Sequence, residues 1–391
     1  MALLLATVAF TVASTALGAQ SAVADSIASR MVAPGVVYRH IGRPAGPWSI
    51  DVVEVDLRRS DLVVESVRAL DSLRGRETTS SMARRSSGAG SVVLVAVNAD
   101  FFDVKSGESV NNQIERGAFV RALSGPRPPA GHVRSQLALT RARKPFIERF
   151  LFDGAWLTRW GPVGIGAVNV IPHANALVLF NRYYGSATPR DTLDADVAEV
   201  ALVPIARRGD TVVYRMRGEV HTGGGTRIPP NGVVLAGYGA SRSAPRAVAA
   251  AGRPVRLVLD MKPGPGGIRT LVGGRPRIVD AGRNVAARGD GAPGFATTRH
   301  PRTAIGFSPD STTLYLVTVD GRQKSSVGMT LAELADEMLA LGSHDALNLD
   351  GGGSTTMVVE GRIVNSPSDA QGERAVANAL VVLRRDQEAG T

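Results

Sequence analysis

Short apolar runs rich in Val, Leu and Ile recur along this chain, and each is cut off by glycine, proline or a polar cluster. Residues 50–57 read IDVVEVDL, 61–70 DLVVESVRAL, 91–97 SVVLVAV and 312–320 TTLYLVTVD. Runs of this length and β-branched content form strands, and a continuous apolar run suits a strand buried on both faces. ANALVLF at 174–180, AEVALVPI at 198–205 and RPVRLVLDM at 253–261 read the same way. The 44 glycines and 22 prolines supply the turns that many short strands need. The chain of 391 residues is long enough for one large core or two modest ones. The expected fold is α+β: a single domain with a mixed, strand-rich sheet core and a few packed helices. Residues 121–145, rich in Arg, Pro and Gly, read as a surface connection, and 79–90 as a short helix followed by a loop.

One helix is explicit. In TLAELADEMLALG, Leu331, Leu334, Ala335 and Met338 fall on one face. Thr330 and Glu333 match the capping-box spacing and Gly342 suits the C-terminal stop, which predicts a helix over Leu331–Leu341. A strand at Ala346–Leu349 follows, and MVVEGRIV at 357–364 reads as a hairpin turning at Glu360-Gly361-Arg362.

The formal charge is +10. A positive surface favours anionic partners, but the excess of arginine over lysine beside much Ala, Gly and Val also fits codon-driven composition. No dense basic tract with interleaved aromatics occurs, which argues against a nucleic-acid partner. Cysteine is absent, so disulfides, thiolate metal sites and a cysteine nucleophile are excluded. The first 24 residues are uncharged and largely apolar, with small-residue sites at Ala16-Leu17-Gly18 and Ala22-Val23-Ala24. They read as a signal peptide without a basic leading region, cleaved near residue 18 or 24. The expected location is then secreted, periplasmic or cell-envelope, with no membrane span left after cleavage.

Polar residues end several apolar runs. Asn98, Asp100 and Asp103 follow one, Asp320 and Arg322 another, and His300, Arg302 and Thr303 precede a third. The sharpest case is ALNLDGGGSTTM, where Asp350 is followed by Gly351, Gly352, Gly353 and Ser354. Glycines let a backbone approach a ligand and can form an anion-binding nest of N–H groups; they equally make a tight turn capped by the aspartate. Asp103 and Asp320 each have a turn reading, and Glu333 is better explained as a cap than as a catalytic acid. The six histidines show no metal-ligand spacing. No cofactor is implied, and an oxygen-ligand site for Ca²⁺ or Mg²⁺ stays open.

The run of motifs R-T-A-I-G (302–306), V-D-G-R (319–322), S-x-G-M-T-L-x-E-L-A (326–335) and N-L-D-G-G-G-S-T (348–355) resembles the phosphodiester glycosidase family. VAVNADFF, TRIPPNGVVLAG and VGGRPRIVDAG resemble further family segments, so the likeness runs from about residue 36 to 385. Asp100 stands where the family often carries a small residue. The resemblance implies one catalytic domain over 36–385 that hydrolyses a sugar-1-phosphate diester in an exported or envelope glycoconjugate. It implies Asp350 as the catalytic carboxylate, with Asp320 and Asp100, each beside the end of an apolar run, as the next catalytic candidates. Asn98, Arg302, Thr303, Arg322, Asn348, Gly351, Gly352, Gly353 and Ser354 become the substrate-binding set. A phosphomonoester is a good leaving group that needs charge neutralisation more than protonation, which suits arginines and N–H groups beside one carboxylate. Two other readings fit the same residues: a non-catalytic envelope glycan-binding protein, and a glycosidase on uncharged sugars.

Overall fold

Alternation along the central strands decides what each buries. In Trp48–Asp56, Val53 and Val55 join one core while Ile50 and Val52 join another. In Thr313–Val319, Leu314 and Leu316 enter the first core and Tyr315, Val317 and Val319 the second. Strands apolar on both faces must be covered on both faces, so layers follow from the sequence. The computed structural model describes residues 25–88, 90–125, 134–171, 175–190, 196–288 and 294–386. The expected signal segment, 1–24, lies outside them.

Among these residues two sheets pack face to face. One has eight strands, in the order Ser26–Ala33, Val36–Arg43, Trp48–Asp56, Thr313–Val319, Arg302–Phe307, Asp345–Asn348, Arg277–Asp280 and Arg283–Asn284. The other has five: Arg362–Ile363, Met357–Val359, Ser91–Asn98, Asn378–Arg385 and Leu62–Arg68. Between them lie Val53, Leu94, Val97, Ile305, Leu316 and Leu380, all buried. The helix Leu331–Ala340 covers the outer face of the larger sheet through Leu334 and Met338. The helix Thr79–Ser86 covers the outer face of the smaller one through Met82 and Ala83. A third, 13-stranded sheet curls around a core of its own that includes Phe119, Leu179, Leu235, Leu257 and Met261. The fold is strand-rich α+β. Nearly every pairing is antiparallel; Ala167–Val168 runs parallel to Leu177–Asn181, which makes the sheet mixed.

The capping box at Thr330 and Glu333 is present in both directions. The expected hairpin pairs Val358 with Ile363, with Glu360 (φ 51°) and Gly361 (φ 76°) in the turn. Residues 121–145 differ from expectation: Ala118–Leu123 and Gln136–Thr140 are strands, and Leu137 and Leu139 are buried in the main core. The apolar triplet Leu137–Leu139 is too short to stand out beside Arg and Pro, and only its sheet partners give it value. The helix Ser243–Ala251 was not expected either; it is capped by Gly252 at φ 58°.

Register gathers the polar ends. Val319 pairs with Arg302 and with Ile50, and Ala304 pairs with Asn348. Antiparallel pairing therefore puts the start of one strand and the ends of its neighbours at one edge of the eight-stranded sheet. Asn98, paired with Ala379, ends the facing strand of the five-stranded sheet at the same place.

Candidate active site

Asn98 is the hub. Its amide nitrogen donates to the Asp350 carbonyl at 2.6 Å, and its amide oxygen accepts from the Thr303 hydroxyl at 2.8 Å and the Thr356 N–H at 3.1 Å. The Asp350 N–H in turn donates to the Ala99 carbonyl at 2.8 Å. Asn98 and Thr303 are fully buried, so these bonds stitch the two sheets together where their strands end. Both residues position Asp350; their polar atoms are committed to protein partners.

Asp350 is partly exposed as a residue, while its carboxylate is largely desolvated. One oxygen accepts from the Gly351 N–H at 3.0 Å. Burial pushes the carboxyl up to about 6, against the Ser354 hydroxyl, the Gly351 N–H and the charge of Arg374, which favour ionisation; the Asp100 charge pushes it further up. The Ser354 hydroxyl is buried close to the carboxylate but meets no partner in good hydrogen-bond geometry. Asp100 is also pushed by burial up to about 6, opposed by the Asn111 side chain at 2.7 Å and the Asn111 N–H at 3.1 Å. Burial thus raises both carboxyls to about 6, and the Asp100 charge adds a smaller upward push on Asp350.

Asp320 belongs to an adjoining polar network. Its oxygens accept from Ser49 (3.2 Å), Asn365 (3.2 Å) and the Ser366 N–H (2.9 Å). Burial raises its pKa, and the charge it senses most is that of His40. His40 and Tyr38 both contact Asp51, at 3.0 and 2.6 Å. Asn365 links this network to the site by also donating to the Thr355 carbonyl at 3.1 Å.

The arginines divide. Arg302 is 2% exposed, and its guanidinium donates to the carbonyls of Met329, Phe295 and Thr298 at 2.8–3.0 Å. It holds the segment before its strand, and burial lowers it to about 10. Arg322 is exposed, with φ 60°; it contacts His300 at 3.4 Å and Ser368 at 3.5 Å. A Cβ added to Gly352 would meet the Arg322 guanidinium at 3.1 Å, which places this cation against the glycine segment. Arg374, paired with Asp369 at 2.7 Å, flanks Gly353 so closely that any side chain there would collide with both.

The glycine run does not form an open nest. Gly351 donates to Asp350, Gly352 to Pro301, Ser354 to Gly351 and Thr355 to Gly352. The glycines serve close packing: a Cβ at Gly351 would lie 2.7 Å from the Pro301 carbonyl, and Gly352 needs φ 63°. Asn348 is buried, donates to the Arg275 carbonyl at 2.6 Å and leaves its side-chain oxygen without a partner. Asp103 is the turn residue expected, accepting from Lys105 and Ser106. Asn111, Arg275 and Arg374 escaped the sequence reading. So did the aromatic pair Phe101 and Phe295, which stacks against Arg275 at 4.9 and 5.2 Å. None of them ends an apolar run, so no sequence signal separated them from surface residues. Among the described residues no group of three or more His, Asp or Glu side chains is placed to hold a metal ion.

Residues 207–383 match the model of the phosphodiester glycosidase family. That segment, a little under half of the chain, is similar to phosphodiester glycosidases. The matched segment includes Arg302, Asp320, Arg322 and the Asp350 segment, whereas Asn98 and Asp100 reach the site from outside it. This chain is 40% identical over 75 residues to N-acetylglucosamine-1-phosphodiester alpha-N-acetylglucosaminidase of Bos taurus, covering 19% of this chain and 14% of that protein. It is 42% identical over 90 residues to an uncharacterized SPbeta prophage-derived protein, YomE, of Bacillus subtilis (strain 168), covering 23% of this chain and 14% of that one. Each match thus spans 14% of the relative's own length. A crystal structure from Burkholderia pseudomallei K96243, of a protein whose name marks it as a candidate for export, superposes with a TM-score of 0.64 at 22% identity. It covers 92% of this chain and 96% of that one, and shows the shared fold.

Proposed function

We propose that this protein hydrolyses a glycosyl phosphodiester, with residues 36–385 acting as one catalytic unit and Asp350 as its essential carboxylate. The observation that carries this reading is the Asp350 carboxylate, raised by burial to about 6 on a backbone tied to both sheets, with the exposed Arg322 against the nearby Gly352. Water adds to the anomeric carbon as the carbon–oxygen bond to phosphate breaks. The electron pair leaves on the phosphate oxygen, and a carboxylate takes the proton released by water. Arg322, supported by Arg374, offsets the charge on the departing phosphomonoester. Burial keeps the Asp350 pKa near the working range, with a smaller push from the Asp100 charge.

Arg302 contributes by anchoring the 295–298 segment rather than by gripping phosphate. Preference for a phosphodiester over an uncharged glycoside therefore rests on Arg322. The raised, positioned carboxylate favours an enzyme over a glycan-binding protein. The substrate is proposed to be an exported or envelope glycoconjugate, in keeping with the apolar leader. No helix of the described residues is long and apolar enough to cross a membrane. The test is release of phosphomonoester from sugar-1-phosphodiesters, run beside p-nitrophenyl glycosides. Turnover of the diesters that falls with Asp350→Asn supports the reading. Glycan binding without turnover of any of these substrates rejects it.

A further inference from the structure

The 13-stranded sheet curls so that Leu151–Thr158 comes against Ala118–Leu123, and Gly161–Ile165 against Leu177–Asn181. One end of this curl is open. A cavity of about 250 Å³ opens there, and it shares no lining residue with the Asp350 site. Its floor is apolar: Val168, Leu179, Val212, Tyr214, Met261 and Ile268 line it and are buried. These side chains come from strands distant in sequence, so the hollow is a product of the sheet's curvature rather than of one loop.

Its rim is charged. Arg141, Arg182, Arg207, Asp210 and Asp260 stand around the mouth. Arg141 is paired with Asp210 at 3.5 Å, and Asp260 with Lys262 at 2.7 Å. Arg182 stacks on the Tyr183 ring at 4.2 Å and donates to its hydroxyl at 2.8 Å; its charge is felt by the buried Glu115, but it forms no ion pair among the described residues. Arg207 is exposed and has no carboxylate partner among the described residues. The mouth therefore carries two arginines outside the rim's ion pairs, above a pocket with an apolar floor. Apolar pockets with a few polar groups at the opening are the usual form of small-molecule sites, and the mouth of a curled sheet is a usual place for them.

We propose that this cavity binds an amphipathic anion, its acyl or aryl group in the hollow and its carboxylate or phosphate at Arg182 and Arg207. The volume sets the size. A dry cavity of about 150 Å³ holds a benzene ring, so this one takes an apolar group of roughly ten carbon atoms. Charge sets the head group: a cationic amphiphile would face the same two arginines and be repelled.

The test is calorimetric titration of the full chain with decanoate, decyl phosphate, the neutral decyl maltoside and decyltrimethylammonium, each below its micelle concentration. Saturable binding of one or both anions, at least tenfold tighter than the neutral and cationic amphiphiles, is expected. Binding of both anions identifies a site for the anion class, decanoate alone a fatty-acid site, and decyl phosphate alone a lipid-phosphate site. Arg207→Gln, on an exposed position, should weaken anion binding about tenfold and leave the neutral amphiphile unchanged. Ala118→Phe, which fills the mouth, should abolish binding of every amphiphile, with an unchanged thermal transition showing that it is folded. Equal affinity for all four head groups, no saturable binding of either anion, or binding that survives Ala118→Phe would overturn the proposal. None of these readouts depends on hydrolysis.

Discussion

Replacing Asp350 by Asn tests the site on two properties that must move in opposite directions. Asparagine keeps the size of the side chain and still accepts from the Gly351 N–H, but it has neither charge nor basicity. A positioned carboxylate of this kind is worth on the order of 10²–10⁴ in rate, so kcat should fall by that factor. Stability should rise at neutral pH. The carboxyl is raised from 3.8 to about 6, so the folded protein binds its proton more tightly than the unfolded chain does. The resulting stabilisation is complete below the unfolded value and is lost as pH rises through the folded one. Two units correspond to about 3 kcal/mol; partial exposure reduces this to roughly 1–2 kcal/mol. Asp350→Asn removes that loss. Its melting temperature should exceed the parent's by a few degrees at pH 8, and the gain should vanish below about pH 4. The assays are thermal denaturation at pH 4 and pH 8 and turnover of a sugar-1-phosphodiester. A variant keeping more than about a tenth of the activity, or one less stable than the parent at pH 8, would show that Asp350 is not a strained catalytic carboxylate.

Turnover should fall as pH drops through about 6, and Asp100→Asn should move that limb to lower pH, because the Asp100 charge raises Asp350; a limb that stays put or moves up, read from kcat/KM profiles, refutes the coupling. Arg302→Lys should cost about 1–3 kcal/mol by urea denaturation, because one ammonium cannot serve the three carbonyls that the guanidinium holds. KM should change less than in Arg322→Gln, and the opposite order would restore Arg302 as the phosphate clamp. Glu333→Gln should keep most activity, since glutamine completes the capping box and only the exposed ion pair with Arg299 is lost; a drop of several orders of magnitude in turnover with unchanged folding would make Glu333 catalytic. Intact-mass analysis of protein recovered outside the cytoplasm should find the segment up to about residue 18 or 24 missing, and a full-length mass there would indicate a retained anchor.

Local order was legible in the sequence because it is set by periodicity and by short-range chemistry. The Thr330–Glu333 cap, the turn at Asp103, the 357–364 hairpin and the two-faced apolar strands all follow from neighbours a few residues apart. The position of Asp350 at a strand end was legible for the same reason. What the neighbouring groups do was not. Arg302 and Arg322 look alike in sequence, yet one is buried against three carbonyls and the other is exposed beside Gly352. The glycine run looks like an anion nest until Pro301, brought in by the pairing of Arg302–Phe307 with Asp345–Asn348, takes up the Gly352 N–H. Asp100 and Asp350 are far apart in the chain, and each is raised mainly by its own burial, which only the packing of distant strands supplies. Sequence determined which segments are strands and where each must end. Tertiary structure alone decided which ends meet, because burial and the choice of hydrogen-bond partner are properties of contacts between distant residues, and those set a carboxylate's pKa and an arginine's role.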